Sequence, residues 1–110
     1  MPRPVYELKA ELFRTLGHPV RIRVLEVLRD GEATVADIAE QVGVGGSTLS
    51  QHLATLRRAD IVTSRREGSQ LHYGVVDPRV FQLLATGRQM LTTSLEGSRE
   101  ALADLEQMEL

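Results

Sequence analysis

Apolar residues recur along this chain at helical spacing, with one break into the alternation of strands. Val5, Leu8, Leu12, Phe13 and Leu16 fall at three- and four-residue steps and predict a first amphipathic helix that Gly17 ends. Pro19 suits the first turn of a second helix, whose apolar positions are Val20, Ile22, Val24, Leu25 and Leu28. That helix stops at the turn signal Asp30-Gly31-Glu32. Thr34 is placed to cap a short third helix with Val35, Ile38, Ala39 and Val42 inward, Asp37 near its positive end and Gly43 as its stop.

A fourth helix is expected from near Ser47 to about Ala59. Leu49, Leu53 and Leu56 share one of its faces, and Ser47, Gln51, Ala54 and Arg58 lie opposite. Thr48 and Thr55 flank that polar side on one edge, Ser50 and Arg57 on the other. The pattern then changes. Residues 61–66 (IVTSRR) and 70–76 (QLHYGVV) are rich in β-branched and aromatic residues, and Glu67, Gly68 and Ser69 suit a hairpin turn between them. Asp77-Pro78 opens a last helix whose stripe comprises Val80, Phe81, Leu84, Leu91, Leu95, Leu102, Leu105 and Met108. Gly87 and Gly97 weaken it locally, by about 1 kcal/mol each relative to Ala.

Four helices, a hairpin and a closing helix give a mainly α fold with a β-hairpin wing (α+β), in the order ααααββα. This is the order of a winged helix-turn-helix, expected as a single domain over residues 1–110. In such a fold the third helix braces the fourth, and the fourth offers its polar face to a major groove.

Composition narrows the chemistry. The chain has no cysteine, which excludes disulfides, thiolate metal sites and thiol redox sensing. No apolar run approaches the ~20 residues that span a bilayer, and the N-terminus MPRPVYELKAE does not read as a signal peptide. A cytoplasmic location is expected. The net charge of −2 looks unsuited to a nucleic-acid partner until it is divided along the chain. Residues 1–76 hold ten Lys and Arg against nine Asp and Glu, a balance of +1. Residues 77–110 hold three against six, a balance of −3. Phosphate attraction follows local potential, so a basic face is compatible with an acidic tail.

The candidate contacts to double-stranded DNA are Ser47, Thr48, Ser50, Gln51, Thr55, Arg57 and Arg58 on the fourth helix, with Arg65, Arg66, Ser69 and Gln70 on the wing. Gln51 and Ser50 are the base-reading candidates, because Gln bonds adenine bidentately and Ser bonds either partner. Ser47 has a competing use as an N-cap. Alternation sends Arg65 and Arg66 to opposite faces. One is expected on the minor groove or a phosphate, and the other on Glu67 or apolar surface. Arg57 and Arg58 equally suit the negative end of the helix dipole. His52, at the margin of the apolar face, reads as a buried or half-buried structural histidine. His18 reads as a cap or packing group before Pro19, and no two histidines stand at i, i+4 spacing. Nothing resembles an enzyme: GVGGS lacks the lysine and strand context of a phosphate-binding loop, and no nucleophile elbow is present.

The segments LGHPVRIRVLEVL (16–28) and VADIAEQVGVGGSTLSQHLATLRRADIVTSRREGSQLHYGV (35–75) resemble the ArsR/SmtB transcriptional repressors. The most specific parts are the H-P-x-R-x-R-x-L stretch from His18, the S-x-x-S-x-H-L pattern from Ser47 and the R-R-x-G of the wing. The resemblance implies a homodimer held by the terminal helices, about 4–16 and 78–108, through Val5, Leu8, Leu12, Leu84, Leu91, Leu95, Leu102 and Leu105. It also implies an operator of inverted symmetry and release by an inducer.

The resemblance stops at metal sensing. Members of that family often carry cysteines in the third helix, where this chain reads EATVADI, with Ala33 or Thr34 and Ala36 in their place. A second site of the family draws Asp and His from the last helices, and this last helix has no histidine. No metal site and no cofactor are expected, and the implied inducer is an unknown small molecule. Two alternatives stay open. One is a metal-responsive repressor using an oxygen-rich site among Asp77, Glu96, Glu100 and Asp104, with histidine. The other is a winged-helix protein-interaction module without DNA binding.

Overall fold

The computed structural model describes residues 2–108, with the Met108 side chain, named above on the last stripe, outside the described part. Its elements in chain order are α1 (Val5–Leu16), α2 (Pro19–Leu28), β1 (Ala33–Thr34), α3 (Val35–Val42), α4 (Gly46–Arg58), β2 (Val62–Glu67), β3 (Gln70–Val75) and α5 (Arg79–Met108). Two compact units are described, a winged unit that ends at Pro78 and the helix that follows from Arg79.

Local chemistry explains the boundaries in the winged unit. His18 is extended and its Nδ1 accepts from the Val20 N–H at 3.1 Å, capping α2 ahead of Pro19. Thr34 Oγ1 accepts from the Asp37 N–H at 3.2 Å, the expected cap of α3. Gly43 ends α3 at φ 76°, and its N–H donates to the Ala39 carbonyl at 2.9 Å. A left-handed residue is needed there, and glycine adopts that backbone without a Cβ penalty. Helix α4 starts one residue earlier than expected, at Gly46, with Gly45 as N-cap and no side-chain cap bond. It ends in a double-bonded turn: Ile61 N–H donates to Leu56 O at 3.0 Å and Asp60 N–H to Arg57 O at 3.0 Å. Asp60 occupies the left-handed position of that turn at φ 58°, where glycine is the usual residue.

One strand was not expected. Ala33–Thr34 pairs antiparallel with β3, placing Ala33 opposite Tyr73 and Thr34 opposite His72. The sheet order is β1-β3-β2, and the β2–β3 register runs from Val62 opposite Val75 to Glu67 opposite Gln70. Glu67 therefore belongs to the strand rather than the turn, which is left to Gly68, at φ 62°, and Ser69.

The core gathers Leu16 of α1, Val24, Leu25 and Leu28 of α2, Ile38 of α3, and Leu49, Leu53 and Leu56 of α4, with Ile61, Val62 and Tyr73 from the wing side. Helix α2 packs on α3, α4 and β3, and α4 packs on β2. The i, i+4, i+7 spacing of the α4 leucines faces all three inward, which turns the rest of that helix to solvent.

Helix α5 is continuous over 30 residues, about 45 Å at 1.5 Å per residue. Along it Val80 is buried, Phe81 and Leu84 are half-buried, and Leu91, Leu95, Leu102 and Leu105 are exposed in the single chain. Among the described residues no helix is long and apolar enough to cross a membrane.

Candidate nucleic-acid interface

Helix α4 contains no acid over its 13 residues. Ser47, Thr48, Ser50, Gln51, Arg57 and Arg58 are exposed on it, and Thr55 is half-buried. Because Gly45 occupies the cap position, the Ser47 hydroxyl is not spent on capping. Ser47, Thr48, Ser50, Gln51 and Arg58 make no side-chain hydrogen bond within the described residues, so their donors and acceptors face water. Thr55 differs: its Oγ1 donates to the Gln51 carbonyl at 3.0 Å, which turns the hydroxyl back on the helix. Arg57 Nη1 lies 3.5 Å from Ser64 Oγ, a long contact that links the end of α4 to β2.

The two wing arginines part as alternation requires. Arg65 Nε donates to Glu32 Oε1 at 2.8 Å and its Nη1 to Glu67 Oε2 at 2.9 Å. Those bonds, Glu67's first, hold the guanidinium above its ordinary pKa. In return Arg65, and after it His72, whose Nε2 is 3.7 Å away, hold the Glu67 carboxyl below the usual range. All these side chains except His72 are about half exposed or more, so the pairs add little stability. Their effect is on charge: Arg65 faces two carboxylates before it meets any partner. Arg66 makes no ion pair among the described residues and is exposed. With Ser69, Gln70 and Leu71 it borders a groove of about 300 Å³, closed on the other side by Thr34, Val35 and Ala36 at the start of α3.

The wing thus presents Arg66, Ser69 and Gln70 outward, while Arg65 is engaged. In the sequence either arginine could have been the engaged one, and Glu32, 33 residues from Arg65, had no assigned part. One signal was available in Gly74. A Cβ there would stand 3.2 Å from Glu32 Cγ, so the glycine leaves room for the Glu32 stem that reaches Arg65.

His18 caps α2 and His52 is half-buried, both as expected, but the meeting of their rings was not. His18 and His52 bring their rings to 4.2 Å between centroids at an interplanar angle of 45°. His52 Nδ1 lies 3.2 Å from Arg21 Nη1. Burial first, then the charges of His18 and Arg21, hold the His52 imidazole below its ordinary pKa of 6.5. His72 stands apart, on β3 opposite Arg65. Among the described residues no three His, Asp or Glu side chains gather into a group able to hold a metal ion.

Residues 16–65 match a family described as a helix-turn-helix domain. The chain is 43% identical over 103 residues to an uncharacterized HTH-type transcriptional regulator of Mycobacterium tuberculosis, covering 93% of this chain and 90% of that one. The crystal structure of that regulator, Rv0081, superposes with a TM-score of 0.78 at 42% identity, covering 87% of this chain and 97% of the other. The chain is 40% identical over 75 residues to the biofilm growth-associated repressor of Xylella fastidiosa, covering 68% of this chain and 66% of that one. The solution structure of a homodimeric winged helix-turn-helix DNA-binding domain from Mycobacterium bovis, described as a possible ArsR-family regulator, gives a TM-score of 0.74 at 28% identity, over 84% of this chain and 86% of that one. With the helix order, the paired wing and the polar α4 face in place, this chain belongs to the ArsR/SmtB family of winged helix-turn-helix transcriptional regulators.

Proposed function

We propose that this protein is a homodimeric repressor that binds an inverted-repeat operator, reading bases with α4 and anchoring the backbone with the wing. One observation carries the reading. The side of α4 turned away from Leu49, Leu53 and Leu56 is free of acid and keeps Ser47, Thr48, Ser50 and Gln51 without internal partners. Short polar side chains approach base edges, whereas a carboxylate on that face would be repelled by phosphate. Gln51 and Ser50 take the base contacts. Arg66, with Ser69 and Gln70, takes the wing contact, and Arg57 and Arg58 serve phosphates near the end of the helix. Repression by the Xylella relative and the homodimeric state of the M. bovis domain support the same assignment here. The second copy is held through Val5, Leu8 and Leu12 of α1 and the leucine stripe of α5. Release follows a small organic ligand, because no thiolate is available to a soft metal. The protein has no catalytic part.

The test is selection of bound duplexes from a random pool, followed by titration of variants. The selected sequence should be an inverted repeat with half-sites about one helical turn, ~10 bp, apart. Gln51→Ala should cost about 1–3 kcal/mol per half-site and relax the preference at one base pair. Arg66→Ala should weaken binding to all sequences and reduce the salt slope by about 0.9 for each phosphate that the guanidinium neutralises. A Gln51→Ala protein that ranks duplexes as the parent does would remove base readout from this residue.

A further inference from the structure

Arg21, in the first turn of α2, is half-buried and divides its guanidinium among three acceptors. Its Nε donates to the Thr15 carbonyl at 2.6 Å and its Nη2 reaches the Arg14 carbonyl at 3.4 Å, both in the last turn of α1. Its Nη1 points to His52 Nδ1 at 3.2 Å, in the middle of α4. A guanidinium only donates, so His52 Nδ1 accepts and the neutral ring carries its proton on Nε2. The ring lies against that of His18, tilted at 45°, and the Nδ1 of His18 is itself occupied by the Val20 N–H.

We propose that Arg21 is a positioning residue for operator recognition. It fastens the end of α1 to the recognition helix through His52, and only while that ring is neutral, so operator affinity falls as the solution is acidified. The proposal rests on the DNA-binding reading above and adds a regulator to that site. His52 adjoins Gln51 and precedes the buried Leu53, so the ring fixes the turn of helix that aims the base-reading side chain.

Among the described residues no carboxylate stands against the His52 ring to neutralise its protonated form. Helix α4 carries no acid. On α2, Arg21 is the donor itself, and Arg23 is paired with Glu26 at 3.1 Å. From the segment before α2 comes His18, and from α1 the Arg14 and Thr15 carbonyls, both already used by Arg21. On β2, Arg65 and Glu67 bond each other, and Arg66 is a further cation. Protonation would therefore remove an acceptor and set two cations face to face. The imidazole is held below its ordinary 6.5, so the unfolded chain takes up a proton first as pH falls. The Arg21–His52 bond contributes fully above about pH 6.5 and disappears as pH drops through the lower folded value. Nonspecific phosphate attraction changes in the opposite sense, because added protons strengthen it.

The experiment uses the full chain and the duplex selected from the random pool, with an unrelated duplex as reference. Affinity is followed by fluorescence anisotropy from about pH 8 to about pH 5, a range in which histidine is the side chain that ordinarily titrates. The wild type should lose affinity for the selected duplex toward acid, by about tenfold per protomer for each unit separating the free and bound pKa values. Affinity for the unrelated duplex should hold or rise. His52→Asn, which keeps an acceptor near the place of Nδ1 and cannot be protonated, should lose the acid limb whatever its affinity at neutral pH. NMR of the wild type without DNA supplies a readout that needs no variant. Amides of Arg14–Leu16 and Ser50–Leu53 should shift together with the His52 ring, and Arg21→Gln should move the His52 midpoint upward. If no duplex is bound at any pH, the DNA reading fails while the NMR titration still decides the Arg21 link. An acid limb retained in His52→Asn, or amides that ignore the His52 titration, overturns the proposal.

Discussion

The exposed leucines of α5 allow the dimer to be tested with a magnitude. Leu95 is 62% exposed in the single chain. At ~100° per residue Leu102 lies within about 20° of it around the helix, and Leu91 within about 20° of Leu102. Fully burying a leucine contributes about 1.5–3 kcal/mol, so the exposed fraction of Leu95, less what alanine retains, is worth about 0.5–1.4 kcal/mol. In a two-fold contact the residue appears twice, giving about 1–3 kcal/mol for the pair. Leu95→Ala should therefore weaken the dimer about 5- to 150-fold. Sedimentation velocity from about 0.1 to about 100 µM reads that shift as a displaced monomer–dimer transition. Gln89→Ala is the control, since Gln89 lies about 120° away from Leu95 on the same helix and is exposed. Two results would refute the reasoning: a wild type that sediments as a monomer at the top of that range, or a Leu95→Ala protein that dimerises as well as Gln89→Ala.

Two further expectations concern other parts of the chain. Asp60→Gly should stabilise the fold by about 0.5–1 kcal/mol and raise Tm by a few degrees, because φ 58° strains a residue with a Cβ; calorimetry showing an unchanged or lower Tm counts against this. Zn(II), Ni(II), Cd(II), arsenite and a mild oxidant should each leave operator affinity unchanged in a binding titration, since the chain has no thiolate. A drop in affinity at micromolar metal that a chelator reverses would revive an oxygen and imidazole site.

The helices were legible because each carries an apolar stripe at helical spacing, buried or exposed, and most ends carry a local stop or cap. Thr34, Gly43 and His18 act within three or four residues of their partners, which is the range a sequence pattern resolves. Strand β1 was not legible. Two residues show no periodicity, and Ala33 is a strand only because Tyr73, 40 positions on, supplies the ladder. The start of α4 slipped for a different reason: Ser47 is the better N-cap by propensity, yet the chain extends at Gly45 and the serine falls inside the helix. At the candidate interface the residue types on α4 were visible, and which of them are spent on internal bonds, as Thr55 and Arg57 are, was not. The link from Arg21 to His52 spans 31 residues, and the one from Arg65 to Glu32 spans 33. Both are products of the folded core, which sets α2 against α4 and the Glu32 turn beside β3, across which Glu32 reaches Arg65 of β2.

The short strand β1 also changes what kind of object the wing is. A free two-stranded hairpin is marginal in water. Here β3 has a neighbour on both sides at Tyr73 and His72, and Arg65, opposite His72, is clipped to Glu32 at the same level. Beyond that level, toward Gly68 and Ser69, the ladder has two strands only. Mechanically the wing is a cantilever, built into the body at one end and loaded at the other. Amide protons should exchange slowly at its root and progressively faster toward its tip. Arg66 stands just outboard of the clamp. It is near enough to the fixed end to hold its bearing, and far enough along the beam to move with the tip.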